Sequence, residues 1–77
     1  MAVSSEDVIG IVSEVLDIPR SQITHQSQRE DFLEWDAVGH MRVCMAIEDR
    51  HGVHIDEERF DELGSVASLV SYLKKKR

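Results

Sequence analysis

The first quarter of the chain carries apolar residues with helical spacing. They are Val8, Ile9, Val12, Val15 and Leu16. The hydroxyl and carboxylate residues before them, from Ser4 to Asp7, suit the unpaired N–H groups of a first helical turn. Pro19 disfavours the helical conformation in the residue before it, Ile18. The pattern therefore predicts a first helix from about Ser5 to Asp17.

A long polar stretch follows, from Pro19 to Trp35. Its isolated apolar residues, Ile23, Phe32 and Leu33, together with Trp35 itself, are typical of a loop that is pinned to a core. Loops of this length are uncommon in compact domains and often have a function.

The second predicted helix carries two apolar stripes. Asp36 is suited to cap its beginning, and Gly52 is suited to the left-handed position after its end at about Arg50 or His51. At about 100° per residue, Val43, Cys44 and Ile47 share one arc, and Val38, Met41 and Met45 share a second arc roughly opposite. Since a small bundle needs one stripe for its core, the second is either covered by the long loop or exposed to a partner.

Two further helices are predicted in the last third of the chain. Ile55, Asp56 and the two glutamates after them are typical of the beginning of a short third helix, which Gly64 ends. Ser65 caps the last helix. Its apolar positions follow the i, i+3, i+4, i+7 spacing of one helical face: Val66, Leu69, Val70 and Leu73.

These elements predict an all-α fold, a small bundle of three main helices plus the short third helix. No strand pair is recognisable in the sequence. The predicted core consists of Val12, Leu16, Val43, Ile47, Phe60, Val66, Leu69, Val70 and Leu73.

Composition indicates one folded domain over residues 1–77. Hydrophobic residues make up 42% of the chain and charged residues 31%, and there is one proline. A chain of this size buries roughly 60% of its unfolded surface, which is enough for one core. No apolar run approaches the roughly 18 residues of a membrane span, and no secretory signal is recognisable. We therefore expect a cytoplasmic monomer without a membrane partner.

The charge distribution indicates the kind of partner. Four of the nine basic residues are the last four of the chain, so residues 1–73 hold five basic and fifteen acidic residues, a formal charge of −10. An acidic body repels nucleic acid and attracts proteins that present lysine and arginine patches.

Metal and enzyme sites are poorly supported. His51 and His54 lie close in sequence, and His40 and Cys44 are four residues apart on helix two, but no third or fourth ligand is in register. Cys44 falls on the predicted core arc, and no electropositive neighbour would activate its thiol. We expect no metal site, no catalytic residue and a buried Cys44.

Four segments then show a resemblance to a known family. "IVSEVLDIP", "FLEWD", "AIEDRHGV" and "IDEERFDELGSVASLVSYL" make the chain resemble an acyl or peptidyl carrier protein over nearly its whole length. The resemblance implies a four-helix carrier bundle that holds acyl intermediates as thioesters on a 4′-phosphopantetheine arm and presents them to partner enzymes. In that family, helix two begins with Asp-Ser-Leu or a close variant, and the serine carries the arm.

Here the corresponding triplet is Asp36-Ala37-Val38. Alanine has no hydroxyl to accept a phosphoryl group, so the resemblance implies a chain that is locked in its apo form. Ala37 is either an engineered replacement of the serine or natural, and we favour engineering because every flanking feature remains. The alternative function is a carrier-like interaction module that never bears the arm.

The resemblance also assigns partner docking to helix two. The residues concerned are Val38, Met41, Arg42, Met45 and Glu48. The expected partners are a phosphopantetheinyl transferase, an acyl-loading enzyme and synthases or transferases with basic patches. Gly39 and Arg42 stand where housekeeping fatty-acid carriers usually have acidic residues. Together with the Trp-Asp sequence before Ala37, they favour a specialised polyketide or nonribosomal-peptide pathway.

Overall fold

The computed structural model describes residues 3–76, with side chains as far as Lys75. It has three α-helices, α1 (Ser5–Leu16), α2 (Ala37–His51) and α3 (Val66–Lys76). Four 3₁₀ turns lie between them, at Arg20–Gln22, Arg29–Asp31, Glu57–Arg59 and Asp61–Leu63. In this part of the chain no strand forms, although Gln28 and Ser65 make one isolated β-bridge. The all-α prediction is confirmed.

Helix α1 begins as predicted and ends one residue early. The Ser4 N–H donates to the Asp7 carboxylate at 3.0 Å, which is half of a capping box. Asp17 adopts a left-handed conformation with φ 56°, and the Ile18 N–H returns to the Ser13 carbonyl at 3.2 Å. This left-handed turn at Asp17, two residues before Pro19, ends the helix at Leu16.

The predicted short third helix is a pair of 3₁₀ turns. Glu57–Arg59 and Asp61–Leu63 are joined at Phe60, and neither extends into an α-helix. An α-helix here would place Glu58 one turn from both Asp61 and Glu62, and like charges at these spacings destabilise a helix. Such a short segment also gains too few hydrogen bonds to offset helix nucleation.

The core lies where the three helices meet, with α1 packed against both α2 and α3. Every predicted core residue is buried except Phe60, which is half-buried and packs against the others. The long loop contributes Ile23 and Trp35 to the core, whereas Leu33 is 95% exposed. The prediction that Leu33 pins the loop is therefore wrong, because the side chains of the two residues between Phe32 and Trp35 both face solvent.

Glycine at position 39 allows the chain to fold back closely onto the first turn of α2. A Cβ at Gly39 would lie 2.3 Å from the Glu34 carbonyl oxygen and 3.0 Å from the Leu16 side chain. The backbone oxygen belongs to the segment leading into α2, residues 32–36, which we call the lead-in segment. The close approach is possible only because position 39 has no side chain.

We predict that Gly39→Ala destabilises the protein by about 1–3 kcal/mol, because the new methyl group collides with backbone that cannot move independently. Gly10→Ala is the matched control in α1. Its methyl would meet only the flexible Arg20 guanidinium at 3.3 Å. We therefore expect this variant to be more stable by about 0.5–1 kcal/mol, the usual advantage of alanine over glycine inside a helix. Urea unfolding measures the stability of both variants. Equal midpoints for the two variants would contradict the close approach.

Candidate functional site

The beginning of α2 presents an exposed position at the positive end of a helix dipole. Ala37 is the first helical residue and is exposed, and the Asp36 carboxylate accepts the Gly39 N–H at 2.8 Å. The first intrahelical bond runs from the His40 N–H to the Asp36 carbonyl. The capped turn leaves the N–H groups of Ala37 and Val38 outside the intrahelical ladder, where a phosphate group would be favoured.

The second apolar stripe of α2 is open to solvent. Val38 is 66% exposed, Met41 53% and Met45 60%. We call these three residues the exposed stripe. The alternative in which the long loop covers them is wrong, because Ile23 and Trp35 turn into the core instead. Arg42, the neighbouring predicted docking residue, is also exposed.

Two open depressions flank the exposed stripe. One, of about 470 Å³, separates the end of α1 from the beginning of α2 and includes Asp36, Val38 and Arg42 in its wall. The other, of about 640 Å³, lies at the far end of α2 and includes Met45, Glu48 and Asp49. Carboxylates therefore stand beside apolar side chains at both ends of the stripe, an arrangement complementary to a basic and apolar partner surface.

Glu48 has a structural contact that its predicted docking role did not anticipate. Its side chain is 31% exposed, and its carboxylate accepts the Ile55 N–H at 2.7 Å. The same oxygen lies 3.5 Å from His54 Nδ1. Glu48 thus ties the segment after Gly52 to α2. We therefore expect a replacement of Glu48 to affect stability as well as docking.

A buried polar cluster behind the site was missed by sequence reasoning. His40 is fully buried, its Nδ1 accepts the Trp35 indole N–H at 3.0 Å, and its Nε2 lies 2.7 Å from the Phe60 carbonyl oxygen. Because an indole nitrogen can only donate, Nδ1 must be unprotonated and Nε2–H must donate to Phe60. His40 is therefore a neutral imidazole, and its burial lowers its pKa below the ordinary value of 6.5.

Cys44 lies beside this cluster, with Sγ 3.7 Å from His40 Nε2. Burial raises the pKa of its thiol to about 11, so the thiolate is scarce at neutral pH. Cys44 is a buried hydrophobic residue, as predicted. Among residues 3–76, no three histidine, cysteine, aspartate or glutamate side chains are grouped closely enough to hold a metal ion. Over the same residues, no helix has the length and apolar character needed to cross a bilayer.

The three-helix bundle is consistent with a carrier-type helical fold. The family model described as "Phosphopantetheine attachment site" matches residues 6–73. The chain therefore belongs to the phosphopantetheine attachment site family, a family of carrier proteins whose cofactor is 4′-phosphopantetheine and which act together with synthases and transferases.

Curated acyl carrier proteins are similar to the chain over most of its length. It is 33% identical over 79 residues to the meromycolate extension acyl carrier protein of Mycobacterium leprae (strain TN), covering 97% of this chain and 69% of that protein. It is 32% identical over 69 residues to the acyl carrier protein of Thermotoga maritima, covering 90% and 85%. The acyl carrier protein of Thermobifida fusca (strain YX) is 24% identical, covering 97% and 100%.

The contact of Glu48 leads to a prediction about stability. We expect Glu48→Lys to lower the free energy of unfolding by about 1–3 kcal/mol, because it removes the acceptor of the Ile55 N–H. Asp49→Lys reverses the same charge on the neighbouring exposed residue and should change stability by less than about 0.5 kcal/mol. Thermal or urea unfolding compares the stability of the two variants. If both variants are equally stable, the hydrogen bond of Glu48 contributes nothing.

Proposed function

We propose that the chain is an acyl carrier protein in which Ala37 occupies the attachment position, so that it docks partner enzymes but remains apo. The observation that carries the proposal is the exposed Ala37 on the first turn of α2, directly after the capping Asp36 and at the head of the exposed stripe. Family membership supports the carrier role. With a serine at position 37, the chain would hold acyl intermediates as thioesters for partner enzymes.

The residues at the site do not fit covalent attachment of the cofactor. Phosphoryl transfer needs an oxygen nucleophile, and a methyl group supplies none however well α2 positions it. The other serines are differently placed. Ser65 and Ser68 bond to each other at the beginning of α3, and Ser27 is buried and bonded to Thr24. None lies on the first turn of α2.

Residues near the site and the name of one relative bear on the class of pathway. Gly39 has a structural reason, the close approach of the Glu34 carbonyl, so its difference from housekeeping carriers does not by itself indicate a pathway. Arg42 and the Trp35-Asp36 sequence favour a specialised polyketide or nonribosomal-peptide pathway. The name of the Mycobacterium leprae relative favours the extension of long acyl chains as a second candidate.

Restoring the nucleophile tests the carrier assignment. We predict that Ala37→Ser, incubated with a broad-specificity phosphopantetheinyl transferase, coenzyme A and Mg²⁺, becomes holo, whereas the unchanged chain does not. In the variant, the serine oxygen would lose its proton and bond to the β-phosphorus of coenzyme A, while adenosine 3′,5′-bisphosphate leaves with the cleaved phosphoanhydride oxygen.

Intact-mass measurement detects the product of that reaction. Ala67→Ser, which places a new hydroxyl at an exposed alanine of α3, is the matched control and should stay unmodified. An adduct on the unchanged chain would refute the apo assignment. A folded Ala37→Ser variant that gains no adduct would refute the carrier assignment and favour the interaction module that never bears the arm.

A second prediction concerns docking. In the Ala37→Ser background, Met45→Asp should lower kcat/KM for the transferase by about tenfold, since it adds an unpaired charge to an apolar contact surface. Ala67→Asp adds the same charge to an exposed position of α3 and should change kcat/KM less than about twofold. Circular dichroism checks that both fold. Equal kinetics for the two variants would place docking away from the exposed stripe.

A further inference from the structure

His40 joins three separate parts of the chain through its ring. It belongs to α2, its Nδ1 holds the Trp35 indole of the lead-in segment at 3.0 Å, and its Nε2–H holds the Phe60 carbonyl oxygen between the last two 3₁₀ turns at 2.7 Å. The Phe60 ring also meets the imidazole edge-on, with the centroids 4.5 Å apart. Both ring nitrogens are therefore used, and both bonds require the neutral ring.

A second proton cannot be added without breaking this arrangement. Protonated histidine donates from both nitrogens, and the indole N–H has no lone pair to accept with. The Nε2–H bond to Phe60 would survive, but Nδ1–H would face another N–H inside the core. Trp35 is 1% exposed, so its indole N–H would lose its buried acceptor unless the side chain moved.

We propose that His40 is a proton-sensitive latch: a proton added to its Nδ1 expels the Trp35 indole and loosens the lead-in segment from α2. The lead-in segment carries the exposed Leu33, and its Glu34 carbonyl oxygen lies close to Gly39. Opening the latch therefore alters the surface beside Ala37 while the Phe60 bond persists. This functional consequence rests on the proposed docking function, whereas the latch itself does not.

The charged residues near His40 have opposite effects on its protonation. Arg29, in the 3₁₀ turn Arg29–Asp31, disfavours protonation of His40, and Asp61, in the turn after Phe60, favours it. Cys44 on α2 stays neutral, because burial raises the pKa of its thiol to about 11. Desolvation is the largest influence and lowers the pKa of His40 in the closed state.

The direction of the pH effect follows from this lowered pKa. An opened, solvated His40 has its ordinary pKa near 6.5 and takes up a proton more readily than the closed form. Above that pH both forms are neutral and the latch contributes its full stability. As the pH falls below about 6.5, the open form binds more protons, so the closed form is progressively disfavoured until its own pKa is reached.

NMR on histidine- and tryptophan-labelled protein tests the proposal. At pH 7.5 the His40 ring should carry its proton on Nε2, and its titration midpoint should lie below 6.5. Hydrogen exchange of the Trp35 indole, corrected for its intrinsic rate, reports the opening constant. Between the pKa values of the closed and open forms, this constant should rise by up to about tenfold for each unit of pH decrease.

Two variants separate the latch from general acid unfolding. In His40→Gln, the opening constant should be higher than in the unchanged chain at pH 7 and independent of pH from 7 to 5. In His54→Gln, which removes a histidine that is 83% exposed, the pH dependence should remain. If His40→Gln does not fold, Trp35→Phe decides: without the indole donor, the titration midpoint of His40 should rise.

Any of four results would overturn the latch. They are an Nδ1–H tautomer at pH 7.5, a midpoint of 6.5 or above, the same pH dependence in His40→Gln, and an unchanged midpoint in Trp35→Phe. None of these measurements involves the transferase, so the latch and the carrier assignment can fail independently.

Discussion

The close contact between the lead-in segment and the first turn of α2 is the constraint on which the candidate site depends. The Glu34 carbonyl rests where a side chain of residue 39 would be, and the next two residues are fixed by burial of Trp35 and by the cap that Asp36 provides. Helix α2 therefore begins at a defined residue and in a defined direction. The exposure of Ala37 follows from that geometry.

The same contact explains how one helix can serve two surfaces. Trp35 and Ile23 fill the core beside the helices, and the rest of the long loop does not extend over the outer face of α2. The apolar residues of the exposed stripe remain in water, at an unfavourable hydration free energy of roughly 25 cal/mol for each Å² of apolar surface. A contiguous apolar surface flanked by carboxylates is typical of a site that a partner covers.

Local sequence signals predicted the three α-helices well. Asp36 and Gly52 bound α2 as expected because capping depends on neighbouring residues alone, and apolar periodicity identified a buried core in which only Phe60 is less buried than predicted. The features that were missed depend on contacts between distant segments. His40 accepts from a residue that the helical pattern does not relate to it, and its bond to Phe60 spans twenty residues.

One wrong expectation and one unforeseen contact have a similar origin. Leu33 was expected in the core because it is apolar, yet the turn that buries Trp35 directs Leu33 outward. Glu48 was assigned to docking by the resemblance alone, and its structural contact was missed because it accepts an N–H group that becomes available only once the chain turns back after Gly52. A tryptophan five residues before a helical histidine was a usable signal for the buried pair, but a weak one without the bond to Phe60.

Ala37, the residue that decides whether the arm can be attached, contributes little to the fold. Ala37 is exposed, its side chain fills no part of the core, and the cap of α2 is supplied by Asp36. A serine and an alanine at this position would therefore leave the helix, the exposed stripe and the buried cluster in place. In the proposed function, docking and covalent attachment therefore depend on different atoms: docking on the exposed stripe and its carboxylate rim, attachment on a single oxygen. The proposed carrier therefore keeps its docking surface without the arm, because the interactions that shape the surface do not involve the atom that would carry the arm.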